Sequence, residues 1–133
     1  MDDIAIGNSG TAQMTVGTND TAPRVGSGKI AVLATPVMIN LIEEAALAAI
    51  EDALPEGKQS LGTHLDVSHI AATPVGMKVT ATAKVTAIEG RTVTFDVEAS
   101  DEKDLIGRGT HTRVVVTAAT FSARVDEKAN GIG

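Results

Sequence analysis

The stretch Thr35 to Asp52, TPVMINLIEEAALAAIED, constrains the fold more than any other part of the chain. It reads as one long helix. Thr35 is placed to cap the first free backbone N–H groups, and Pro36 suits the first helical position, where an N–H would have no partner. Good helix formers follow without an internal glycine, and Pro55-Glu56-Gly57 ends the run. Met38, Leu41, Ile42, Ala45, Ala48 and Ala49 recur at i, i+3, i+4 spacing and make one apolar face. Asn40, Glu43, Glu44 and Glu51 fall on the other side. A helix with one apolar face needs something to pack on, and the remaining sequence supplies it as strands.

Before the helix, Thr11 to Gly17 is a candidate strand, Thr18 to Lys29 a polar loop, and Ile30 to Leu33 a short apolar lead-in. In a compact fold that loop lies near the helix start, where it could cover a site. After the helix, Ser60 to Ile70 alternates with period two. Strict alternation sets Leu61, Thr63, Leu65, Val67 and His69 on one face and Gly62, His64, Asp66, Ser68 and Ile70 on the other. Met77, Val79, Ala81, Ala83, Val85 and Ala87 alternate with Lys78, Thr80, Thr82, Lys84 and Thr86. Glu89-Gly90-Arg91 turns the chain, and Val93, Phe95, Val97 and Ala99 return on the same face. Asp101 to Asp104 closes a second hairpin into Leu105–Ala118, whose Gly107 and Gly109 suggest a bulge or a close backbone approach. Phe121 to Val125 is expected to extend the sheet. Two successive hairpins with one apolar face form an antiparallel meander, and the helix covers it. The fold class is α+β, in a single domain of residues 1–133 with a polar extension at 1–10 and a polar tail at 126–133.

Composition excludes several function classes. With 43% hydrophobic residues the chain can build a core, but aromatics are 2%, both Phe, so the core rests on Val, Ile, Leu, Ala and Met. A formal charge of −6 and so few aromatic side chains argue against a nucleic-acid partner, which needs basic surface and stacking platforms. There is no cysteine, hence no disulfide, thiol nucleophile or cysteine-ligated zinc, which fits a reducing cytoplasm. Neither a signal peptide nor a membrane-spanning run is seen, so no membrane association is expected.

Few residues remain that could carry chemistry. His64 and His69 stand an odd number of positions apart on one strand and face opposite ways, which makes them poor joint metal ligands, and no metal is expected. His69 shares the inward face yet sits at the strand's end, where a pocket could open. There an imidazole is either a hydrogen-bonded structural group or a titrating one. His111, with Arg113 at the same parity, reads as structural or surface. Glu43 and Glu44 read either as a solvated helix face or as the wall of a cleft. Thr35 and Glu43 are about 12 Å apart along the axis at about 1.5 Å per residue, so within one helix they cannot touch.

Three blocks together, ATPVMINLIEEA, SLGTHLDVSHIAATPVG and IGRGTHTRVVV, resemble the hot-dog-fold acyl-CoA thioesterases, and most of all the fluoroacetyl-CoA thioesterase group. The likeness runs from about Val32 to Val125. It implies a five- or six-stranded antiparallel sheet wrapped round one long helix. It also implies edge-to-edge homodimers that can pair further into tetramers, with active sites at the subunit interface. By motif it assigns the catalytic set to Thr35, Glu43 and His69, and a carbonyl-polarising backbone N–H to Gly62. The implied activity is hydrolysis of an acyl-CoA to free acid and CoA, with CoA as part of the substrate and no separate cofactor. Glu43 would serve as nucleophile or general base, Thr35 as orienting or relay group and His69 in proton transfer.

Two departures are visible. Pro36 stands where the group has Gly, and the loop Thr18 to Leu33 lacks the Phe residues that gate the pocket of the fluoroacetyl enzyme. A general short- or medium-chain acyl-CoA is therefore the expected substrate. The CoA phosphates would have to meet local cations such as Lys78, Arg108, Arg113 or Arg124. The alternatives are a non-catalytic acyl-thioester-binding module and an enoyl-CoA hydratase-type enzyme on the same fold.

Overall fold

The computed structural model describes residues 3–132. Met1 and Asp2 of the expected extension, and Gly133 of the expected tail, lie outside the described residues. In chain order the elements are strand β1 (Ser9–Thr15), short helix α1 (Ala22–Val25), long helix α2 (Thr35–Ile50), strands β2 (Lys58–His69), β3 (Lys78–Glu89), β4 (Thr92–Ser100) and β5 (Leu105–Thr117), and helix α3 (Ala118–Ile132). The five strands form one antiparallel sheet in the order β1-β3-β4-β5-β2. Helix α2 contacts all five strands and packs mainly on β1 and β3, so the sheet curls round it. Among the described residues no helix is long and apolar enough to cross a membrane.

The core is one cluster. Met38, Leu41, Ile42, Ala45, Ala46, Ala49 and Ile50 of α2 meet Val79, Ala81, Ala83 and Val85 of β3, and Val93, Phe95, Val97 and Ala99 of β4. Phe95 is the largest fully buried side chain, and aliphatic and Ala side chains fill the space around it. Such small side chains allow close approach. A Cβ on Gly10 of β1 would lie 2.4 Å from both Ala45 O and Ala49 N, so only glycine lets that strand lie against the helix backbone.

Several expectations require correction. Residue Thr35 is the first residue of α2 and not its cap; Ala34 holds the capping position, without a side-chain bond. The α-helix ends at Ile50, and Glu51–Ala53 continue as a 3-10 turn. Ala48 is exposed, while Ala46 and Ile50 join the buried face. Strand β1 runs from Ser9, two residues earlier than expected, and the extension before it is not free, because Ile4 is buried in the core. The polar loop carries a 3-10 turn (Thr18–Asp20) and α1, closed at its base by a bridge between Thr21 and Leu33. Residues 121–125 do not extend the sheet; they belong to α3, where local helix propensity prevails once the strand has left its neighbours.

Two bulges override strict alternation. In β3 the register shifts between Val85 and Ala87, so Ile88 pairs with Val93 while Ala87 is exposed. In β2 it shifts between Gly62 and His64, with Thr63 as the extra residue. On the β5 partner strand His111, Arg113 and Val115 are buried toward the helix. Gly62 pairs with Arg113, Leu65 with His111, and His69 with Gly107. Gly62 and His69 therefore share the inner face, contrary to the alternation, and Leu61 turns outward with Val114. His64, paired with Thr112, remains on the face opposite His69. The two β5 glycines accommodate close neighbours as expected: a Cβ on Gly107 would meet Met38 Sδ at 2.6 Å, and one on Gly109 would overlap the Asp66 carbonyl.

Candidate active site

The first half of the site forms where α2 begins and β2 ends. Thr35 Oγ1 and His69 Nδ1 are hydrogen-bonded at 2.7 Å. Because Thr35 lies in the first turn, its hydroxyl is free to leave the helix and meet the strand. The His69 ring is partly buried, and its Nε2 has no hydrogen-bond partner among the described residues. Burial pushes the His69 pKa below its ordinary value, with the Ala71 backbone partly opposing the shift, so the ring is neutral near pH 7. The pair opens into a pocket of about 370 Å3 whose other walls include Ala22, Ser27, Val32 and Leu33 of the covering loop and Ala71 and Ala72 beyond β2. That turn is fixed from behind: Thr73, fully buried, donates its hydroxyl to Asp101 Oδ2 at 2.8 Å, and its carbonyl accepts from Leu33 N at 2.9 Å.

The second half lies two helical turns further along α2. The Glu43 side chain is 37% exposed, with Oε2 3.5 Å from Arg113 Nη1 and 4.0 Å from His111 Nε2. Arg113 is buried, donating from Nε to Ser60 Oγ at 2.9 Å and from Nη2 to Ser60 O at 3.1 Å. A guanidinium keeps its charge even when buried, so its burial is costly unless an anion faces it, and Glu43 is that anion. Burial lowers the Arg113 pKa, and the attraction and hydrogen bond of Glu43 oppose the shift. Gly62 completes this half. A Cβ there would stand 2.7 Å from Glu43 Oε2 and 3.0 Å from His111 Cε1, so the carboxylate occupies the space a side chain would need.

Thus Thr35 and His69 meet, Glu43 and Gly62 meet, and within one chain the two pairs stand apart. Along β2, Gly62 and His69 are separated by about 20 Å at roughly 3.3 Å per residue. Sequence reasoning missed the buried Arg113–His111 pair. Its signal was the shared inward parity of the two residues, which their polar character obscured. Arg113 is not available for CoA phosphates, since its guanidinium is turned inward to Ser60 and Glu43. Lys78, Arg108 and Arg124 are exposed.

An antiparallel sheet curled round one helix, with a hydroxyl–imidazole pair at the helix start and a held carboxylate two turns on, defines a hot-dog-fold protein. The family model described as FlK, fluoroacetyl-CoA-specific thioesterase, matches residues 16–119, and the chain belongs to that family. It is 44% identical over 97 residues to the fluoroacetyl-CoA thioesterase of Streptantibioticus cattleyicolor, covering 73% of this chain and 70% of that protein. A solved structure of the fluoroacetyl-CoA thioesterase FlK superposes with a TM-score of 0.88 at 36% identity, over 93% of this chain and 96% of the other. A hypothetical protein from Thermus thermophilus, a thioesterase superfamily member, gives a TM-score of 0.89 at 29% identity over 98% and 99% of the two chains.

Proposed function

We infer that this protein hydrolyses acyl-CoA thioesters to the free acid and CoA. The observation that carries the reading is the 2.7 Å contact of Thr35 Oγ1 with His69 Nδ1 at the mouth of a pocket, in a chain of the thioesterase family. In the reaction Glu43 either draws the proton from a water that attacks the thioester carbon, or attacks that carbon itself to give an acyl anhydride that water then cleaves to the free acid. His69, neutral and oriented by Thr35, takes up the proton the water releases and, as the imidazolium, returns it to the CoA thiolate. The Gly62 backbone N–H faces the developing oxyanion, a contribution of ~3–4 kcal/mol for each such donor.

The relative from Streptantibioticus is named for fluoroacetyl-CoA. Here the covering loop contains no Phe, and the pocket walls it supplies, Ala22, Ser27, Val32 and Leu33, are small or aliphatic. We therefore propose a short- or medium-chain acyl group without selectivity for fluorine, carried by CoA and needing no separate cofactor.

A homodimer would bring the two halves of the site together. Strand β2 is a free edge, and Leu65 on its inner face is 39% exposed where α2 does not cover it. Antiparallel pairing of two β2 edges centred on Asp66, with Thr63 bulged as it is against β5, would set Gly62 opposite the partner's His69. A cysteine-free chain suits the cytoplasm, where we place it.

The test is thiol release from acetyl-, fluoroacetyl-, butyryl-, hexanoyl- and octanoyl-CoA, with light scattering for the assembly. Turnover that His69→Ala lowers by ~10²–10⁴-fold is expected. No turnover on any substrate, or wild-type rates in His69→Ala, would overturn the assignment. A monomer in solution would overturn the shared site.

A further inference from the structure

His111 has no part in the chemistry above, yet it is fully buried and every polar contact of its ring is defined. Nδ1 lies 2.8 Å from the His64 carbonyl oxygen. A carbonyl can only accept, so Nδ1 carries the ring proton. Nε2 is then a bare lone pair, and it lies 3.2 Å from Arg113 Nη1, a group that can only donate. The tautomer follows from the two neighbours together. Phe95 stacks on the ring with centroids 6.0 Å apart and planes 25° apart, holding it in that plane.

The consequence falls on Arg113. Ser60 takes the Nε hydrogen and one of the two on Nη2, which leaves Nη1 to be directed. Nη1 has two hydrogens and two acceptors within reach, His111 Nε2 at 3.2 Å and Glu43 Oε2 at 3.5 Å. With one hydrogen held by the imidazole, the other points to a single carboxylate oxygen. The second oxygen of Glu43 stays outside this contact. Without the imidazole, both Nη1 hydrogens would be free to draw Glu43 into a tighter, less reactive ion pair.

We propose that His111 is a positioning residue, a neutral acceptor that orients Arg113 and so presents Glu43 for reaction. The proposal rests on the reading of Glu43 as the reacting carboxylate. A glutamine can replace the Nε2 acceptor with its amide oxygen, whereas leucine fills similar volume with none.

The experiment compares wild type, His111→Gln and His111→Leu in acyl-CoA turnover, with melting curves for each and nitrogen-15 NMR of the wild-type histidines at pH 7. For His111→Leu we expect kcat to fall at least about tenfold with KM within about twofold, and for His111→Gln recovery of most of that loss. The NMR should show His111 protonated on Nδ1 alone. Wild-type kcat in folded His111→Leu, or equal loss in both folded variants, overturns the proposal. If His111→Leu does not fold, the NMR decides: a proton on Nε2 overturns it. Should the wild type hydrolyse no acyl-CoA, the functional reading fails, and the NMR still reports whether the ring is the acceptor.

Discussion

Thr35 Oγ1 and His69 Nδ1 stand 2.7 Å apart although 34 positions separate them in the chain. One begins α2 and the other ends β2, so their contact depends on both elements being correctly seated. Losing the hydroxyl should free the imidazole to rotate. Thr35→Val, which keeps the shape, is expected to lower kcat by ~10–100-fold, and Thr35→Ser to retain most of it. Steady-state kinetics of the two variants check this. Equal activity in Thr35→Val and wild type would show that the hydroxyl serves no catalytic purpose.

Gly62 is open to solvent, and a surface glycine in a strand would ordinarily tolerate alanine. Here the added methyl would sit 2.7 Å from Glu43 Oε2. The nearest obstructing atom ends a flexible side chain, and His111 Cε1 at 3.0 Å need give by only a few tenths of an ångström, so the fold survives while the carboxylate is displaced. Gly62→Ala should therefore keep a melting temperature within a few degrees of wild type yet lose activity by about tenfold or more. A parallel loss of stability and activity would point to a backbone effect instead.

Burial holds both His69 and His111 below the ordinary histidine value of 6.5; at His111 the Arg113 charge adds to the shift, while the His64 carbonyl and Glu43 oppose it. The unfolded chain then binds protons that the folded chain refuses, so stability is complete above about pH 6.5 and is lost as pH falls toward the folded values. Thermal melts between pH 7.5 and pH 5 should show a falling midpoint, less steep in His111→Gln. A constant midpoint across that range contradicts this account.

Much of the architecture was legible because it rests on local periodicity. The α2 core face from Met38 to Ala49 and the alternation Val93, Phe95, Val97, Ala99 are burial patterns written directly into residue order. The bulges at Thr63 and Thr86 were not legible, since an extra residue in a strand leaves no mark on composition and is set by the partner strand. Thr35, Glu43, His69 and Gly62 came from motif resemblance. Strict alternation had put Gly62 on the wrong face. The Arg113–His111 pair escaped notice because a buried cation looks like a surface residue until its carboxylate is known to lie above it.

Gly62 and His69 differ by an odd number of positions, and only the extra residue at Thr63 lets both point toward the helix. The segment between them is thus constrained in length more than in chemistry. Exchanging Thr63 for another polar residue alters an exposed side chain whose hydroxyl donates to the Thr112 carbonyl at 3.3 Å. Removing it rotates everything on one side of the gap by half a turn of the strand. In the history of such a chain, substitutions at Thr63 and the other outward positions between Gly62 and His69 would accumulate while single-residue insertions and deletions would be eliminated, because each would turn His69 or Gly62 away from the candidate site.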